Sequence, residues 1–293
     1  MPETLPLRIL HLSDTHLFGD DSLHYGRVDT GATLARALER FSHLGQVDLV
    51  VASGDLSEDG SPRSYQRLRS AIEPWAAEHH ARIVYSMGNH DDRASFRQVL
   101  GNGHGTAADG AEHGPVDAVS TVGGWRVVTL DSSVPGAGYG ELGTDQLDWL
   151  GRVLATPAPA GTVLVMHHPP VPAATALLQA LELYNPEDLV GIVRGSDVRV
   201  ILSGHYHHSV RDAFAGVPVV IAPGIANTTD VLVPEGTERA VIGAGGTLVT
   251  VHGNEVRSVP LRSYEPHDGE QLFHLDAETV ERFAEEAGRV DTR

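Results

Sequence analysis

Three histidines fall within LSGHYHHS at positions 202–209, directly after the apolar run VRVIL. His205 and His207 stand two residues apart, so on an extended chain their rings project to the same side. Alternate imidazoles suit chelation of a cation when other segments supply partners. Four further apolar runs end in comparable polar residues: Asp14 and His16 in LSDTH, Asp55 in SGD, Asn89 and His90 in GNHD, and His167 and His168 in MHHPP. Asp-x-His and Gly-Asp are common patterns singly. All five in succession, each closing a strand-like run, form a much more specific signal. The donors are carboxylates, an amide and imidazoles without sulfur, which suits Mn, Fe or Zn better than Ca. The competing reading, histidines satisfied within a core, would bury many polar groups with no evident partners.

These residues need strands to place them. Short β-rich runs cover RILHLSD (8–14), DLVVASGD (48–55), RIVYSMGNHD (82–91), WRVVTLDSS (125–133), GTVLVMHHPP (161–170), VRVILSGHYHH (198–208), PVVIAPG (218–224) and GTLVTVHG (246–253). Helical patterns alternate with them. Residues 30–44 carry Leu34, Leu38 and Phe41 on one face, and 144–154 carry Leu147, Leu150 and Leu154. Residues 61–80 open on Ser61 and Pro62, an N-cap followed by a first-turn proline. The alternation predicts an α/β fold with largely parallel pairing. Shorter connections between the later strands predict a mixed second sheet. Ligand sites in such sheets form at the carboxyl ends of strands, where the polar residues lie. Glycine-rich stretches at 101–115 and 136–143 read as surface excursions. Beyond about Ser263 the tail is polar and then helical, with Asp276 as cap, Val280, Phe283 and Ala287 on the helix and Gly288 as its stop.

Composition narrows the function classes. The chain has 293 residues, 41% hydrophobic and 20% charged, with a formal net charge of -18. So acidic a surface opposes nucleic acid and anionic lipid, and an anionic substrate needs a local positive centre. The absence of Cys excludes disulfides, thiolate ligands and a cysteine nucleophile. The opening MPETLPLRIL has no signal-peptide pattern and no run approaches membrane-spanning length, so a soluble cytoplasmic protein is expected.

The series LSDTH, GD, GNHD, HH and GHYH resembles the calcineurin-like metallophosphoesterase superfamily. Through YGRVD, GNHDDR, LDSSVPG, QLDWL and TPAPAGTVLVMHHPP it is most similar to the bacterial class III cyclic nucleotide phosphodiesterases, over residues 7 to 262. The resemblance implies a four-layer α/β/β/α sandwich of two mixed sheets flanked by helices. It divides the chain into a catalytic domain (1–262) and a C-terminal extension with a short helix (263–293). It implies two metals, iron and manganese or two manganese, with zinc also compatible. Asp14, His16 and His207 would hold the first, Asn89, His167 and His205 the second, and Asp55 would bridge them. Asn89, His90 and His207 would meet the substrate phosphate. His90 would protonate the departing oxygen, its charged form favoured by a carboxylate, Glu58 or Asp91. Tyr206 would pack away from the metals, and His168 and His208 would be supporting or structural. His11, His24, His43, His79 and His80 read as surface or helix-end residues. Relatives form dimers, so a homodimer is implied.

Two divalent cations against two carboxylates and a bridging hydroxide leave about one net positive charge, which lets an acidic protein bind phosphate. The expected reaction is attack by that metal-bridging hydroxide on a 3′,5′-cyclic nucleotide. Where protein phosphatases of the superfamily place an arginine after Gly-Asp, this chain has Asp59. Where purple acid phosphatases place a tyrosine ligand, it has Glu58. Both departures favour a singly charged diester. Alternatives are hydrolysis of other diesters, such as 2′,3′-cyclic nucleotides or glycerophosphodiesters, and a non-catalytic metal-binding scaffold.

Overall fold

The computed structural model describes residues 5–107 and 113–287. Strands β1 (Leu7–Leu12), β2 (Leu49–Ser53) and β3 (Arg82–Ser86) run parallel. Strand β12 (Ala244–His252) pairs antiparallel with β1, and β13 (Glu255–Ser263) with β12, giving the order β13-β12-β1-β2-β3. The second sheet, in the order β4-β5-β6-β7-β9-β8, contains β4 (Ala118–Val122), β5 (Trp125–Leu130), β6 (Gly161–Met166), β7 (Val198–Ser203), β8 (Val210–Phe214) and β9 (Val217–Ile221). Its four central strands are parallel and both edges antiparallel.

Period-two alternation assigns each strand residue to one of two cores. Leu7, Ile9, Leu49 and Val51 meet Val163, Val165, Val200 and Leu202 between the sheets. The intervening Leu10, Leu12, Val50 and Ala52 face α1 (Thr30–Phe41), α2 (Pro62–Glu78) and α3 (Arg93–Leu100). Leu164, Met166 and Ile201 face α4 (Thr144–Leu154), α5 (Ala176–Ala180) and α6 (Pro186–Val193). The result is the expected α/β/β/α sandwich of two mixed sheets. Strands buried on both faces read as continuous apolar runs, which is why these were visible in the sequence.

The caps also agree. Ser61 accepts the Ser64 N–H ahead of Pro62, and Asp276 accepts the Thr279 N–H at 2.9 Å. Gly288 lies outside the described residues. Within the tail, β14 (Gln271–Leu275) pairs with β11 (Glu238–Val241) in a small sheet completed by β10 (Thr228–Thr229). The helix α7 (Ala277–Ala287) follows it and packs on α5. Among the described residues no helix is long and apolar enough to cross a membrane.

One reading needs correction. Residues 136–143 are not simply a surface excursion. Gly140 and Leu142 are buried, and a side chain at Gly140 would strike the His168 ring. Of the 101–115 stretch, Gly103 and His104 are likewise buried, while 108–112 fall outside the described residues.

Candidate metal centre and active site

Every candidate ligand leaves the carboxyl end of a strand: Asp14 and His16 after β1, Asp55 after β2, Asn89 after β3, His167 after β6, and His205 and His207 after β7. Asp14, His16, Asp55, His205 and His207 all adopt positive φ, from 43° to 69°. Non-glycine residues rarely do so, and they cluster where surroundings impose a functional geometry. Glycines of the motifs make room for it. A Cβ at Gly54 would collide with the His167 ring, and one at Gly204 with Ser13 and Asp14.

The strand ends converge on two groups that share Asp55. One contains Asp14, His16, Asp55 and His207, and the other Asp55, His167 and His205; within each, the candidate donor atoms lie within 4.8 Å of one another. His207 Nε2 is 3.3 Å from Asp14 Oδ1, and His16 Nε2 is 3.7 Å and His167 Nε2 3.2 Å from Asp55 Oδ2. Asn89 sits between two residues that touch Asp55, since a Cβ on Gly88 would meet it and the His90 N–H donates to Asp55 Oδ1 at 2.9 Å.

In three of the four rings the outward nitrogen has a partner that selects the tautomer. His16 Nδ1 bonds Glu58 Oε2 at 2.6 Å. His167 Nδ1 donates to the Ser53 carbonyl and His205 Nε2 to the Leu181 carbonyl, each at 2.9 Å. In the neutral form of these three rings the inward nitrogen presents its lone pair to the centre. His16 Nε2 and His207 Nε2 face each other at 3.2 Å, and His207 Nδ1, His167 Nε2 and Asn89 Oδ1 are buried without a hydrogen-bond partner. Converging lone pairs beside carboxylates call for positive charge between them, so the residues fit a pair of cations.

The ionisation directions show the same demand for positive charge, met by a proton on His167. Burial alone would raise Asp55, but His167 and His90 hold its carboxyl well below the usual range. Burial would lower His167, yet the adjacent Asp55 carries it up to about 9. Burial, reinforced by the His167 charge, lowers His205 to about 3.

A sequence model described as calcineurin-like phosphoesterase matches residues 7–209. The chain belongs to the calcineurin-like phosphoesterase family. It is 42% identical over 250 residues to a cAMP/cGMP dual specificity phosphodiesterase of Mycobacterium tuberculosis, covering 85% of this chain and 77% of that protein. It is 43% identical over 271 residues to a probable cyclic nucleotide phosphodiesterase of Rhodococcus erythropolis, covering 90% and 88%. A dimetal phosphatase from Danio rerio shares the fold at a TM-score of 0.57 and 15% identity, over 88% of this chain and 99% of that one.

Around this family centre the structure sorts the remaining candidates. Glu58 Oε2 lies 3.4 Å from His90 Nδ1, whereas Asp91 is turned toward the Gly88, Leu56 and Ser57 N–H groups and the Tyr65 hydroxyl. Glu58, not Asp91, is therefore the carboxylate that reaches His90. Asp59 accepts the Gly19 N–H at 2.7 Å and the Ser61 N–H at 3.0 Å, so it also ties down its loop. Tyr206 is fully buried and donates to the Val171 carbonyl, a packing residue as expected. His168, bonded to Ser132 Oγ, lies in ring contact with His167 and His205.

His11 and His24 are not surface residues. His11 is fully buried against Ser53 Oγ. His24 packs on the His16 ring at 5.0 Å and bonds Asn227 Oδ1 at 3.1 Å. Neither Asn227 nor His24 stood out in the sequence; the one available signal was the position of His24 directly before YGRVD.

Proposed function

We propose that the protein is a binuclear-metal phosphodiesterase hydrolysing 3′,5′-cyclic nucleotides. The observation that carries this is the pair of donor groups sharing Asp55, with His90 beside them and outside the ligand set. Asp14, His16 and His207 would hold one cation, Asn89, His167 and His205 the other, and Asp55 both. When bound, two divalent cations supply Lewis acidity and activate water. The chain's own residues do the rest. Asn89, His90 and His207 meet the phosphate, Glu58 orients His16 and His90, and His90 delivers a proton to the departing ribose oxygen. The mixed nitrogen and oxygen donors support iron with manganese, or two manganese, with zinc compatible.

A diester is favoured over a monoester by charge. Glu58 and Asp59 flank the site, and Arg93, which lines the adjoining cavity, is engaged by Asp131 and the His113 and Ser133 carbonyls. No free guanidinium in that set greets a dianion. The named relatives support cyclic nucleotides among diesters. The resemblance supports the remaining parts of the reading, a homodimer with residues 1–262 as catalytic domain and 263–293 as an extension, and the sequence pattern of the opening residues supports a cytoplasmic place.

The test is kcat/KM on 3′,5′-cAMP, 2′,3′-cAMP, bis(4-nitrophenyl) phosphate and 4-nitrophenyl phosphate, for wild type and His90→Ala. Wild type should prefer 3′,5′-cAMP and cleave the aryl diester faster than the aryl monoester. His90→Ala should keep both metals and lose about 10²–10⁴-fold in kcat on cAMP. Its loss on the nitrophenyl diester should be much smaller, since that leaving group needs no proton. A wild-type preference for the monoester would sink the reading.

A further inference from the structure

The segment YGRVD meets the C-terminal extension one ring away from the candidate ligand His16, and the function above uses neither. His24 to Val28 close a short hairpin through reciprocal backbone bonds. Its tip is Tyr25, held at φ 49° with 59% of its surface exposed. Both features run against residue preference. A tight turn with positive φ favours glycine or asparagine, and large aromatic rings are mostly well buried. A tyrosine here serves something other than the turn. Its ring packs edge-on against His24 at 4.4 Å and lies 4.8 Å from Phe273 of β14. His24 in turn lies 5.0 Å from His16. Arg27 ties the hairpin to the extension by bonding Glu270 Oε2 at 3.0 Å and the Gln271 carbonyl at 2.5 Å.

Resting on the cyclic nucleotide reading, we propose that Tyr25, backed by Phe273, is the platform on which the substrate's purine stacks. Every base has a π-face, so an aromatic platform binds bases without reading their edges. The alternative seat is a cavity of about 440 Å³ lined by Asn89, His90, Val134 and Pro135 among others. Its lining carries four carboxylates and, in place of a Phe, Tyr or Trp, the smaller imidazoles of His90 and His113, so it favours a base less than the Tyr25 ring does.

Tyr25→Asn removes the ring while suiting the turn, so it should melt no lower than wild type. It should raise KM for 3′,5′-cAMP and 3′,5′-cGMP alike by about 5- to 100-fold, with the effect on KM rather than kcat. Tyr25→Phe should recover the affinity, and Phe273→Leu should raise KM by about 2- to 10-fold. The ribose 3′,5′-cyclic phosphate lacking a base should not distinguish wild type from Tyr25→Asn. The metal-loaded wild type should quench a non-hydrolysable 2-aminopurine cyclic nucleotide, and Tyr25→Asn should not. Unchanged KM in Tyr25→Asn, equal loss on the base-free phosphate, or blockage of nucleotide binding only by Val134→Trp overturns the platform. A wild type that cleaves aryl diesters but no cyclic nucleotide overturns the substrate reading, and the platform with it.

Discussion

The two donor groups that meet at Asp55 are built unequally. The first contains Asp14 as well as the shared Asp55, and its His16 is backed by a third carboxylate, Glu58. The second has only the shared carboxylate, and its His167 and His205 are backed by the neutral carbonyls of Ser53 and Leu181. A carboxylate behind an imidazole raises its basicity more than a carbonyl does. The first position should therefore hold the more highly charged or more tightly bound cation, and the second the more exchangeable one. Asp55 would couple them, because each cation would screen the charge that draws the other.

Removing the shared carboxylate should have the largest effect. Asp55→Ala is expected to leave neither position filled and to abolish phosphodiesterase activity, measured by metal analysis and turnover on the same sample. Full occupancy of both positions would break the claim that Asp55 joins them. Glu58→Gln should act on one side only. It should weaken the first cation by about 10- to 100-fold and spare the second, as read by competition with a chelator; equal weakening of both would mean the backing carboxylate does not set the asymmetry.

The smallest expected effect lies away from the centre and concerns stability. His104 is buried between Ser120 Oγ and Thr129 Oγ1, and burial, aided by the Arg82 charge, lowers it from 6.5 to about 4. The unfolded chain binds the proton first, so His104 makes stability fall as pH drops from about 6.5 to about 4. Burial pushes Asp117 up from 3.8 to about 6, so its contribution has the opposite sign and is lost as pH rises through that range. Denaturation midpoints should thus fall less steeply on acidification in His104→Gln and more steeply in Asp117→Asn. Identical slopes in both variants and wild type would show that neither group titrates differently on folding.

The sequence revealed most of the candidate centre because its residues end strands buried on both faces, where apolar runs stop abruptly at polar residues. The edges were harder to read. Strand β13 carries Arg257, Pro260 and Arg262 on a largely exposed ribbon, and charge and proline are what protect an edge from pairing further. The same residues make it resemble a loop. Helix α3 has only Phe96 and Leu100 buried, too few for a period. His24 sits in a hairpin with no periodicity, and its partner Asn227 is 203 residues away. Its burial comes from tertiary packing that no local pattern announces.

The asymmetric, bridged pair is tested most directly by a calorimetric manganese titration of metal-stripped protein, wild type beside Asn89→Ala. Wild type should bind two ions per chain in separable steps, the tighter one first. Asn89→Ala, which removes the buried amide oxygen that lacks a partner, should lose or weaken the second step and keep the first. A single step of one ion in wild type, or equal loss of both steps in Asn89→Ala, would contradict it.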